Sequence, residues 1–108
     1  MPKYLIQASY TAEGLKGLQK DKASGRKAAV NKALEGLGGK LEAIYYAFGQ
    51  DDVVVILDMP DNVSATALSL AVSASGLVRT KTTPLLTVEE ADQALDKSGS
   101  VSYRAPGR

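Results

Sequence analysis

The stretch YYAFGQDDVVVILDMPDN, residues 45–62, decides how this chain folds. Two apolar runs flank Gly49, Gln50, Asp51 and Asp52. Glycine and aspartate accept the backbone angles of a tight turn, and aspartate hydrogen-bonds to its own backbone there. The pattern predicts two strands joined as a hairpin, with Asp51 and Asp52 at its turn. The same two carboxylates invite a catalytic or metal reading. A hard cation, however, needs several more converging oxygens, and the neighbouring sequence supplies none. Side chains adjacent in an extended segment also point to opposite faces. The structural turn is the stronger reading.

The second run, Asp52–Met59, contains Val53, Val54, Val55 and Ile56 and is apolar on both faces. Such a strand belongs in the middle of a sheet that is covered on both sides. The run before the turn, Lys40–Gly49, alternates Leu41, Ala43, Tyr45 and Ala47 with Glu42, Ile44, Tyr46 and Phe48. Upstream, GLGGK ends a helix over 24–37 whose packing stripe is Val30, Ala33, Leu34 and Leu37. A shorter helical piece, AEGLKGLQK, is capped by Thr11 and breaks near DKASG, weakened by its glycines. The first strand is KYLIQASY, residues 3–10, with Tyr4, Ile6, Ala8 and Tyr10 on one face.

Downstream of the hairpin, Asp61 or Asn62 is placed to cap a helix over 63–75, ended by Gly76. Its stripe reads Val63, Ala67, Leu70, Ala71 and Ala74. A fourth strand, LVRTKTTPLLT, is expected to lie at an edge or to bend at Pro84, which has no ladder donor. Thr87 then opens a Thr-Val-Glu-Glu capping box for a last helix over 88–97. The resulting βαββαβ order predicts an α+β, ferredoxin-like sandwich with an extra C-terminal helix: one domain over 1–97 and a polar tail over 98–108. Two helices cover only one face of that sheet, and the other would leave an apolar patch in water. A sheet-to-sheet dimer, the dimeric α/β-barrel arrangement, follows as the expectation. The polar, turn-rich tail reads equally as a loose end or, with its aromatic, cation and proline, as an arm laid on a neighbouring subunit.

Composition narrows the chemistry. With no cysteine and no histidine, disulfides, thiolate metal sites and the usual general base near neutral pH are absent. No metal or cofactor is expected. The net charge of +1 gives no whole-molecule attraction to nucleic acid or membrane. Residues 1–40 do carry eight Lys or Arg against three Asp or Glu, while 41–75 carry five acids and no base. That basic excess, on Lys16, Lys20, Lys22, Arg26, Lys27 and Lys32, has no interleaved aromatic and reads as a solvated helix face. The N-terminal residues show no signal-peptide pattern, and a cytoplasmic location is expected.

Several segments together, ASYTAEGLKGL, LGGKLEAIYYAFG, DVVVILDMPDN, LSLAVSASGLVRTKTTPLLT and SYRAPG, resemble the GYD-domain family of small bacterial and archaeal proteins. The resemblance implies a ferredoxin-like, dimeric α/β-barrel fold. The family's function is largely uncharacterised, so it implies little chemistry. Its name motif, Gly-x-Tyr-Asp, falls on the hairpin turn: Gly49 and Asp52 match, and Asp51 stands where the tyrosine is usual.

Candidate ligand contacts are few. Arg79 and Lys81 share one face of the edge strand with Thr83, and could hold a carboxylate or phosphate. Charged edge residues that discourage aggregation, or an intersubunit bridge to Asp58 or Glu42, are the competing readings. Tyr4, Tyr10, Tyr45 and Tyr46 sit on strands, and their hydroxyls could line a cavity or donate protons, although such tyrosines are more often core rings with a hydroxyl at the rim. Tyr4, Tyr45 and Tyr46 are the ones selected as ligand contacts. Tyr45 and Tyr46 point to opposite faces, so at most one enters a given pocket. The expectation is a non-catalytic, homo-oligomeric ligand-binding or interaction module, a dimer or a multiple of dimers, taking a small anionic or aromatic ligand. Its rivals are a cofactor-free enzyme of the monooxygenase or isomerase kind, acting on a hydrophobic ring or acid, and a purely self-assembling structural protein.

Overall fold

A computed structural model describes residues 1–108. The elements run β1 (Lys3–Tyr10), α1 (Ala12–Gly36), β2 (Lys40–Tyr46), β3 (Val53–Asp58), α2 (Asn62–Ala74), β4 (Val78–Leu85) and α3 (Val88–Ser98). The four strands form one sheet in the order β2-β3-β1-β4, with every pair antiparallel. This is the ferredoxin-like α+β topology. β3, the strand with apolar side chains on both faces, is central, and β4 with Pro84 is at an edge.

Side-chain alternation sorts the sheet. Tyr4, Ile6 and Ala8 of β1 and Val53, Val55 and Leu57 of β3 are buried under the helices with Leu34, Met59, Ala65 and Leu68. The opposite face carries Leu5, Gln7, Val54 and Ile56, half-buried and covered by no element of the chain. No helix is long and apolar enough to cross a membrane.

The helix ends follow their local chemistry. The Thr11 hydroxyl accepts from the Gly14 amide at 3.2 Å, and Asp61 Oδ1 accepts from the Ser64 amide at 2.7 Å. At α3 both halves of the capping box form: Glu90 N donates to Thr87 Oγ1 at 3.1 Å, and Thr87 N donates to Glu90 Oε1 at 2.9 Å. The break expected near DKASG is at Lys22, whose φ of 65° and ψ of 167° divide α1 in two.

Three expectations need correction. First, α2 turns a different face inward: Ala65, Leu68 and Val72 reach the core, while Val63 and Leu70 stand in solvent. The helix is apolar or small on every side, so periodicity alone could not set its phase. Hydrogen bonds to the sheet fix it, between Ser69 Oγ and Thr82 Oγ1 at 2.6 Å and between Ser73 Oγ and Thr80 Oγ1 at 3.2 Å. Second, a β-bulge between Leu41 and Ala43 shifts the alternation of β2, so that Leu41 pairs beside Leu57 and Ile44 beside Val55, both on the core side. Third, β2 stops at Tyr46, and Phe48 stands exposed in the turn with φ 52°.

The molecule is long and thinly packed. Its radius of gyration is 17.1 Å, against about 13 Å for a compact domain of this length. α3 has no buried residue and no extensive contact with any other element. α1 packs on β2 and β1 and α2 on β4, but the two helices make no extensive contact with each other. A cleft is left between them.

Candidate functional site

The cleft between α1 and α2 has the core face of the sheet as its floor. Its inner part is a cavity of about 80 Å³ whose walls are mostly apolar, including Ile6, Val30, Ile44, Val55, Leu68 and Val72. The polar side chains among its lining are Tyr10 of β1, Tyr46 of β2, Arg26 of α1, Ser69 of α2 and Thr80 of β4. An outer compartment of about 250 Å³ shares Tyr10, Arg26, Val72 and Val78 with the inner one and continues past Gly14, Gly17, Leu18 and Asp21. The inner part alone is smaller than the roughly 150 Å³ cavity that accommodates benzene. An aromatic or longer guest must therefore extend into the outer compartment.

Alternation places the two phenols. Tyr10 continues the series Tyr4, Ile6 and Ala8 on the core face, and Tyr46 pairs opposite Val53 on the same face. Their hydroxyls lie 3.4 Å apart. Tyr10 is anchored through its backbone, whose N–H donates to Asp52 Oδ2 at 2.8 Å. Burial, reinforced by the hydrogen bond with Tyr10, pushes the Tyr46 phenol well above the ordinary tyrosine range. Arg26 acts on Tyr46 in the opposite sense, so its cation is felt at the phenol. Tyr46 thus stays a neutral phenol rather than a base.

Arg26 reaches the cleft because α1 is broken. In a continuous helix, residues five apart do not face each other. Across the Lys22 break, Arg26 Nη1 comes within 3.6 Å of Asp21 Oδ2, a loose ion pair at the mouth.

A family model, the GYD domain, matches residues 4–95 of the 108-residue chain. The chain belongs to the GYD-domain family. No curated protein and no solved structure matches it. In this GYD domain the turn carboxylates are engaged by the chain itself. Asp51, where the family motif usually has tyrosine, accepts from Ser9 at 3.2 Å and from Lys81 at 3.1 Å. Asp52 holds the Tyr10 amide, and its own N–H donates to the Ala8 carbonyl at 2.8 Å. The acids tie the hairpin to β1 and β4. No group of His, Cys, Asp or Glu is arranged to hold a metal ion.

Of the five residues singled out in the sequence, the GYD fold brings only Tyr46 to the cleft. Tyr4 is buried in the core, with its hydroxyl donating to Asn62 Oδ1. Tyr45 lies 70% exposed on the opposite face of the sheet. Lys81 is on that far face too, bridged to Asp51, and Arg79 stands near it beside a polar hollow with Ser9 and Gln50. Sequence reasoning missed Arg26; it raised Tyr10 as a possible cavity residue but left it out of the selected contacts. The signal for Tyr10 was present, since it shares its face with three core residues. Arg26 carried none, because its role depends on the helix break and on the gap between helices.

Proposed function

We propose that this GYD domain is a non-catalytic, cytoplasmic, homo-oligomeric module that takes a small, largely apolar molecule into the cleft between α1 and α2. The observation that carries this reading is the cleft itself: mostly apolar walls with a few polar side chains among them, the usual make-up of a small-molecule site. The inner part is lined by no carboxylate and no histidine, and Tyr46 holds its proton firmly, so binding is better supported than proton abstraction. The paired phenols favour the second reading, a cofactor-free enzyme in which Tyr46 donates a hydrogen bond to a carbonyl or enolate. Turnover of a bound ring or acid that is lost in Tyr46→Phe would select it.

Surface area supports the oligomer. The chain exposes 7572 Å², against about 5,700 Å² for a compact monomer of its mass. The excess is more than the roughly 800 Å² that each partner contributes to a standard interface. The uncovered face with Leu5, Val54 and Ile56 is where a second sheet would pack.

The test is titration with the neutral fluorophore 1-aminoanthracene, run beside native mass spectrometry. Saturable binding that is lost in Val72→Phe, which fills the passage between the two compartments, supports the reading. Binding that ignores Val72→Phe puts the ligand elsewhere, and no binding removes the proposal.

A further inference from the structure

We infer that the molecule taken by the cleft carries a carboxylate, held at the mouth by the Arg26 guanidinium together with the Tyr10 and Tyr46 hydroxyls. The inference rests on the ligand-binding reading above and adds a ligand class to it. Three observations converge. Arg26 lines both compartments and is the one cation that does so. Its only ionic partner, Asp21, is at 3.6 Å, too far for a charge-assisted hydrogen bond, so the fork of donors is free to be taken over by a better-placed anion. Two phenol oxygens 3.4 Å apart share one proton contact between them, and the second O–H has room to donate outward.

The charge inventory selects the head group. One guanidinium and one spare hydroxyl match a planar monoanion with two oxygens. A phosphate dianion would call for further cations or backbone amides, and the lining of either compartment offers no lysine. The apolar body then follows from the walls: Val30, Val72 and Leu68 would receive an alkyl chain or ring running inward from the head. Asp21 becomes the intramolecular competitor, covering Arg26 when the cleft is empty. The break at Lys22 is what brings it there.

The experiment is displacement of 1-aminoanthracene by octanoate and by 1-octanol, on the full chain. Octanoate should bind about tenfold or more tightly than octanol, the scale of a charge-assisted hydrogen bond. Arg26→Gln should erase that difference. Asp21→Asn, which disturbs no core side chain, should tighten octanoate binding by about two- to fivefold, because it removes a weak surface pair. Octanoate binding no tighter than octanol, or an advantage that survives Arg26→Gln, overturns the carboxylate assignment and leaves the cleft reading standing. Failure of the fluorophore itself to bind overturns both.

Discussion

The backbone of Gly14 approaches Leu77 so closely that a methyl group on Gly14 would meet the Leu77 carbonyl oxygen at 2.1 Å. The same carbonyl accepts from the Thr11 amide at 2.9 Å and from the Thr11 hydroxyl at 3.2 Å, so the start of α1 is pinned to the start of β4. Gly17, one turn further along and lining the outer compartment, has nothing within 4 Å of where a Cβ would stand. The two glycines therefore respond oppositely. Gly14→Ala should lower stability by about 1–3 kcal/mol through overpacking. Gly17→Ala should raise it by up to about 1 kcal/mol through helix propensity. Urea unfolding of the two variants side by side measures both signs.

Lys22 occupies backbone angles that are essentially reserved for glycine. Lys22→Gly should stabilise the chain by about 1 kcal/mol and leave the break in α1 where it is. A thermal melt shows the gain, and an unchanged or lower midpoint would mean that the lysine bears no strain.

Tyr46 sets a pH dependence at the alkaline end. Its folded pKa is raised above the unfolded value, so the neutral phenol is favoured in the fold. The contribution is complete below about pH 10, where the unfolded phenol begins to ionise, and falls away as pH rises from there. Ultraviolet titration should show a tyrosine that ionises late, and Tyr46→Phe should remove that component and flatten the alkaline loss of stability.

Val55 and Ile56 are neighbours in β3 with opposite tasks. Val55 is buried beneath the helices, and Ile56 faces outward on the uncovered side. Val55→Asp should unfold the chain, because a carboxylate would be buried without a partner. Ile56→Asp should keep the fold and yield a monomer. Sedimentation together with far-ultraviolet circular dichroism separates these outcomes, and an Ile56→Asp protein of unchanged oligomeric size would place the subunit contact on another surface.

Much of this architecture was legible because its signals are local. The Val53–Ile56 run, the proline in β4 and the Thr11, Asp61 and Thr87 caps each act within a few residues of themselves. What escaped was set by tertiary partners. The phase of α2 depends on Thr80 and Thr82, which come later in the chain, and the alternation of β2 depends on one extra residue at its bulge. Arg26 resembles its neighbouring lysines in every local respect. Only the separation of α1 from α2 turns it from one charge among six into the cation at the mouth of an apolar cleft.

α3 is secured by its own capping box and buries no residue, with Val88 and Leu95 in solvent. A helix of 11 residues is marginal when it stands alone. The segment beyond Leu86 should therefore melt apart from the sheet and at a lower temperature. Its amides should exchange with solvent long before those of β1 and β3. No residue of α3 lines either compartment of the cleft, so loss of this helix should leave the walls of the cleft in place.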